Sequence, residues 1–470
     1  MSYDPEAFLE HKAKTESELE SFQEFWSQPF AKTEYIALRK LRQLIQFASS
    51  ANTWWQSWLR SSLDDISKAS TIYEALSHLP ILERATFQKH EKWLNIWMPG
   101  SQADDYSTYV TSGSTGQPVR VTNLDKNYLP TQDAVTMFEW KMWGRTNGEK
   151  LAYYTQRTEN DENAVAGAPL SFLGYETPVL RINSNDYLPQ DALKLIEKHQ
   201  VTHLYTAGAQ IRRLAVEQQQ QKLDLTNLKQ ILSAGDRVDE PLRDMAREVL
   251  GSEIVDRYSS EEFGYLAIQC RQGNLHALMN YNWIEILDKS GNPCQVGEVG
   301  KVVITSLQNH SSPLIRYSIG DLAAWGENCD CDSQMPVIEQ ISGRQSDVIR
   351  NFSGVNRLMT FGLAGFRSNP RIVEYQIFKF TNAVVFLAQL TESLDEREEQ
   401  QIHSDIEDVF GEKVTVKIMK TDSLHWLPPE KRRELIELPH RFSSEWGLKE
   451  IINSWSRGQG RASRQKPAGG

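Results

Sequence analysis

Tyr109-Val110-Thr111-Ser112-Gly113-Ser114-Thr115-Gly116-Gln117-Pro118 is the most informative run in the chain. A strand-like run of polar and β-branched residues enters it, and two glycines and four hydroxyls crowd into Thr111 to Gly116. Glycine admits positive φ, so successive N–H groups can turn into one concavity and form an anion nest. The hydroxyls add donors that adapt to phosphate oxygens. Alone, such a run makes a polar hairpin turn. Its surroundings decide between the two.

Before the loop, residues 1 to about 95 read as helical. Leu38, Leu41, Leu44, Ile45 and Ala48 recur at helical spacing, Trp54, Trp55 and Trp58 follow, and Leu79-Pro80-Ile81-Leu82 connects to a further helix. After the loop, to about residue 340, strand and helix patterns alternate, which predicts α/β layering. Lys150 to Thr155, Val201 to Ala207, Leu228 to Ala234 and Val299 to Ser306 read as strands, and Pro313 to Arg316 opens another. Beyond Gly343 a smaller α+β unit follows, with strands near Ile372 to Lys379, Ala383 to Thr391 and Val414 to Met419 and a charged helix from Asp395 to Phe410. Expected boundaries are a large α/β domain over 1–343, a small mobile α+β domain over 344–455 and a disordered Gly/Ser/Arg/Lys-rich tail over 456–470.

The 470-residue length exceeds what one core supports. A hydrophobic content of 40% with 24% charged residues describes a globular protein. Net charge of −11 argues against a nucleic-acid partner, which demands a basic face. Met1 to Glu6 is polar and acidic, without a signal-peptide core, and no apolar run reaches membrane-spanning length. Four cysteines in so long a chain make no disulfide framework. The expectation is a cytoplasmic protein with no membrane partner.

Four more stretches follow the loop: Tyr258-Ser259-Ser260-Glu261-Glu262-Phe263-Gly264; Gly297 to Gly300 leading to Arg316-Tyr317-Ser318-Ile319-Gly320-Asp321; Gly343-Arg344-Gln345-Ser346-Asp347; and Pro428-Pro429-Glu430-Lys431-Arg432-Arg433. In this order the chain resembles the adenylate-forming superfamily of acyl-CoA synthetases, in particular phenylacetate–CoA ligases and coenzyme F390 synthetase-like (CapK) proteins. The resemblance covers roughly residues 35 to 435. Each motif is weak singly; the ordered set is specific.

The resemblance implies ATP-dependent activation of a carboxylic acid through an acyl-adenylate, with release of pyrophosphate. Coenzyme A is the implied acceptor, with an amine or a carrier protein as alternatives. That chemistry gathers negative charge, which N–H dipoles, Mg²⁺ and a lysine must offset. By resemblance, Thr111, Ser112, Gly113, Ser114, Thr115 and Gly116 would hold the β- and γ-phosphates. Ala234, Gly235, Asp236, Tyr258 and Ser259 would line the nucleotide, and Glu262 would sit near Mg²⁺. Asp321 would accept from the ribose hydroxyls, Arg344 would lie near the ribose, and Lys431 would reach the α-phosphate. The acyl pocket would draw on residues 153–180, Gly235 and Phe263 to Leu266. A homodimer is compatible with all of this.

Cys270 and His276 enclose five residues and Cys329 and Cys331 enclose one, a Cys-x₅-His…Cys-x-Cys set suited to tetrahedral structural Zn²⁺. The alternative is apolar buried cysteines with an exposed His276. Cys294 lies in a turn and is left over.

Several positions depart from the superfamily pattern. Gln117 replaces a common lysine, Ser259 a glycine, Glu261 a Thr or Ser, Arg237 a proline, Ser346 an aspartate, and Glu430 a glycine before the lysine. These favour an unusual substrate or acceptor, or a catalytically impaired nucleotide-binding homologue. A serine hydrolase is a weak third option, since no Gly-x-Ser-x-Gly elbow or credible triad surrounds Ser112 or Ser114.

Overall fold

The computed structural model describes residues 5–111, 118–146, 148–156, 158–164, 179–233, 235, 238–344, 348–354, 356–358, 369, 371–411, 414–421, 435–438, 441–443, 447 and 449–451. The chain divides into two compact units, Met1–Gln345 and Ser346–Gly470.

The first unit begins with the helical lead-in that the apolar spacing predicts. Helices cover Pro5–Ser27, Phe30–Ala51, Thr53–Leu59, Leu63–Lys68, Ile72–Ser77 and Arg84–Leu94. Phe30–Ala51 buries Ala37, Leu38, Leu41, Leu44, Ile45 and Ala48 along one stripe. Asn52 starts the next helix by accepting from the Trp55 N–H at 3.0 Å, which leaves the Trp55 ring fully buried.

The glycine/hydroxyl loop joins two antiparallel strands, β1 (Tyr106–Val110) and β2 (Arg120–Leu124), paired from Tyr106–Leu124 to Val110–Arg120.

A mixed sheet of twelve strands forms the body of this unit. Its strands are β3 (Leu151–Thr155), β4 (Asp161–Ala164), β5 (Val179–Asn183), β6 (His203–Thr206), β7 (Gln230–Ser233), β8 (Glu253–Ser260), β9 (Gly264–Gln269), β10 (Leu275–Ala277), β11 (Asn282–Leu287), β12 (Gly300–Ser306), β13 (Tyr317–Trp325) and β14 (Val337–Arg344). The spatial order is β11-β12-β13-β14-β10-β9-β8-β7-β6-β3-β5-β4. Strands β5, β3, β6, β7 and β8 run parallel, and the helices Pro189–Lys198 and Gly208–Gln221 make the crossovers from β5 to β6 and from β6 to β7. The chain leaves β3 to β5 on one side and returns to β6 on the other, a topological switch point of the kind at which α/β sheets bind ligands.

One expected strand is corrected. Pro313 to Arg316 is not extended structure; the strand begins at Tyr317. Arg316 has φ of +50°, the left-handed region, and breaks the strand there. Its buried guanidinium is held by Glu285 at 2.9 Å and by the Leu79 carbonyl at 2.6 Å.

In the second unit, β15 (Val348–Arg350) pairs with β16 (Asn356–Leu358). The four strands β17 (Ile372–Lys379), β18 (Ala383–Leu390), β19 (Thr415–Thr421) and β20 (Leu435–Glu437) lie in the order β19-β18-β17-β20. The helix Glu396–Phe410 is started by a capping box between Asp395 and Glu398 and packs Ile402, Ile406 and Phe410 with Ile377 and Phe386. The expected tail lies outside the described residues. No helix among the described residues is long and apolar enough to cross a membrane.

Candidate active site and metal centre

Thr111 closes the base of the β1–β2 hairpin. Its N–H donates to the Val119 carbonyl and its Oγ1 accepts from the Val119 N–H, both at 3.0 Å. The same Oγ1 accepts from Nη2 of Arg84 at 2.5 Å. Nη1 of Arg84 lies 3.3 Å from Oε1 of Glu262, a buried carboxylate in the turn between β8 and β9. Arg84 thus joins Thr111 and Glu262. Sequence reasoning missed it because Glu83-Arg84-Ala85 carries no motif. Its position comes from a distant pairing: Leu82 bridges β13 through Arg316 O at 2.8 Å and Ser318 N–H at 3.0 Å. Beside Arg84, burial pushes the Tyr317 phenol well above its ordinary pKa, and the Glu262 carboxylate adds to the shift.

The glycine at the end of this turn is required by geometry. Gly264 has φ of +68°, and a Cβ there would run into Gln132 and Tyr128 on the helix Asp125–Met142. Gln132 Oε1 accepts from the Tyr265 N–H at 3.1 Å, and Tyr265 meets Thr136 at 2.9 Å. A buried ion pair of Arg257 with Glu139 fixes the same helix to β8.

Tyr258 and Asp321 meet directly: the Tyr258 hydroxyl donates to Asp321 Oδ2 at 2.8 Å. Across β13 and β14, Asp321 is in register with Arg344. Ser259 pairs with Tyr265 just past a bulge after Tyr258. Gly235, with φ of +89°, follows the carboxyl end of β7, where the buried Ser233 hydroxyl has no hydrogen-bond partner among the described residues. Ser112, Gly113, Ser114, Thr115, Gly116, Ala234, Asp236 and Lys431 lie outside the described residues, as do Gln117, Arg237, Glu430 and Ser346.

The second cluster is assembled from β9, β10 and the loop between β13 and β14. The ligand atoms of Cys270, His276, Cys329 and Cys331 all lie within 4.8 Å of one another. Cys270 and Cys329 Sγ are 3.8 Å apart, and His276 Nε2 is 3.3 Å from Cys331 Sγ. His276 Nδ1 is 2.9 Å from the Met335 carbonyl, so as an N–H donor it leaves Nε2 the lone pair that a metal needs. His276 is fully buried against the edge of the Trp26 ring, which removes the reading in which it is exposed. Without a metal, burial raises the Cys270 thiol and pushes Cys331 up to about 12, so metal capture here would release protons. Cys294 stands apart, against Gly300.

Residues 56–311 match the AMP-binding enzyme family. The match covers more than half of the chain, and the protein belongs to this family, within the adenylate-forming superfamily. Over 123 residues it is 30% identical to the propionate–CoA ligase of Salmonella typhimurium, an overlap of 24% of this chain and 20% of that one. Over 145 residues it is 33% identical to the phenylacetate–coenzyme A ligase of Thermus thermophilus, 30% of this chain and 31% of that one. The matches thus span less than a third of either relative. Among solved structures, a 2-hydroxyisobutyryl-CoA ligase in complex with 2-HIB-AMP superposes with a TM-score of 0.71 at 15% identity, covering 93% of this chain and 94% of that one. An anthranilate CoA ligase in complex with anthranoyl-AMP reaches 0.50 at 16% identity, over 75% and 72% of the two chains. These likenesses establish the fold, the mixed α/β architecture expected from the sequence.

Proposed function

We propose that this protein activates a carboxylic acid with ATP and passes the acyl group to an acceptor. The acid and MgATP give an acyl-adenylate and pyrophosphate; the acceptor then attacks and AMP leaves. The observation that carries this reading is the 2.8 Å contact between Tyr258 and Asp321, 63 residues apart in sequence, inside a chain of the AMP-binding enzyme family. In this reading Asp321 takes the ribose hydroxyls, with Arg344 beside it. Thr111 opens the pyrophosphate cradle of residues 112–116, and Gly235 and Tyr258 flank the adenine. Glu262 meets Mg²⁺, a hard cation suited to carboxylate oxygen, and Lys431 stabilises the α-phosphate.

The acceptor in this reading is the coenzyme A thiol. The two curated relatives are named CoA ligases, which supports it. The chemistry and compactness of the Cys/His cluster support a closed, structural Zn²⁺ held by Cys270, His276, Cys329 and Cys331.

ATP–pyrophosphate exchange over a panel of aryl, short-chain and long-chain acids tests the proposal. Acid-dependent exchange is expected, and mass analysis of the product with CoA, amines and carrier protein then identifies the acceptor. Gln117, Glu261 and Ser346 favour a second reading, a nucleotide-binding homologue that has lost adenylation. Tight ATP binding without exchange for any acid would support it.

A further inference from the structure

We propose that a cavity beside the Cys/His cluster binds a small aromatic anion, an aryl carboxylate or sulfonate, apart from the nucleotide site. Such a site stands whether or not the chain adenylates an acid.

About 480 Å³ in volume, the cavity is of the size that small-molecule sites have. It opens where the last turns of the helices Pro5–Ser27 and Asp125–Met142 meet the end of β9 and the loop between β13 and β14. Tyr258, Glu262 and Asp321 are not among the residues that line it.

The lining gives the chemical class of the guest. Phe138 and Met142 are half-buried, and the Trp26 ring lies beside Phe138 with 5.1 Å between centroids. Aromatic rings and a thioether favour an aromatic guest beyond the area it buries. The same lining carries Lys141 and Arg271, both exposed, against Asp332 as its one carboxylate. Its charge is therefore opposite in sign to the −11 of the whole chain. Among the described residues neither Lys141 nor Arg271 makes an ion pair.

Arg271 is held ready for a guest. Its Nε donates to the Met142 carbonyl at 2.5 Å. Gly144, with φ of +66°, leaves room for the guanidinium, since a Cβ there would stand 2.9 Å from Nη2. A guanidinium fixed in this way loses little freedom on binding, and its remaining N–H groups suit a carboxylate or sulfonate. Cations at the end of the helix Asp125–Met142 also favour its dipole, but a dipole role needs neither the cavity nor its aromatic wall.

Calorimetric titration of the full chain with naphthalene-2-sulfonate, in excess MgATP, tests the site. One saturable site per chain is expected, and the neutral naphthalene-2-sulfonamide is expected to bind about tenfold more weakly. The double variant Lys141→Gln/Arg271→Gln should raise the sulfonate Kd about tenfold, whereas Asp332→Asn should lower it about twofold. A tighter single site in Asp332→Asn is not what a damaged fold would give. Four results overturn the proposal: no saturable binding, equal affinity for the sulfonamide, a double variant that binds as wild type does, or loss in the double variant without the gain in Asp332→Asn.

Discussion

Tyr258 and Asp321 meet by one hydrogen bond, and that bond can be removed without disturbing either strand. Tyr258→Phe deletes the hydroxyl and leaves the ring packed in the core. A hydrogen bond to a charged acceptor contributes about 1.5–3 kcal/mol to the folded protein, so the variant is expected to lose stability of that order and, with Asp321 no longer held, nucleotide affinity as well. Equilibrium binding of ATP to both proteins checks this; unchanged affinity would remove Tyr258 from the site. Asp321 and Glu262 are singled out in the sequence because their neighbours form an ordered motif. The contacts of Arg84 with Thr111 and Glu262 are not legible, because they arise from Leu82 pairing with Tyr317, a long-range contact that no local pattern encodes.

At the scale of elements, the sequence carries the alternation of strands and helices well. Strands β3, β6, β7 and β12 fall where apolar β-branched runs predict them, and the charged helix begins at Asp395 as its capping residues require. The failure at Pro313 to Arg316 has a physical cause: an extended-looking run contains a left-handed Arg316, held there by Glu285 and Leu79. The order of the sheet, with β10 and β14 between β9 and β13, is also invisible in sequence, since registers depend on partners. That order nevertheless brings the Cys/His set together, uniting β9 and β10 with the β13–β14 loop. Elemental analysis is expected to find about one Zn per chain, lost in His276→Ala together with a drop in melting temperature. Metal-free wild-type protein with four freely titrating thiols would refute the centre.

For the whole molecule, the account requires two half-reactions with different needs. In the proposed reading Lys431 serves the first, in which the acid attacks the α-phosphate and pyrophosphate leaves. Lys431→Ala is expected to lose ATP–pyrophosphate exchange while still converting a supplied acyl-adenylate into product. Equal loss in both half-reactions would end that division of labour. The chain's length and its restart beyond Gly343 make two units legible, and the structure divides it into Met1–Gln345 and Ser346–Gly470. The acid is not legible: a pocket is a shape made by side chains from separate strands, and residues 165–178 of the expected acyl region lie outside the described residues.

The central claim of the proposed reading is that the chain adenylates an acid. ATP–pyrophosphate exchange measures that directly. The account predicts exchange that depends on both Mg²⁺ and a particular acid from the panel, whereas tight ATP binding with no exchange for any acid would contradict it.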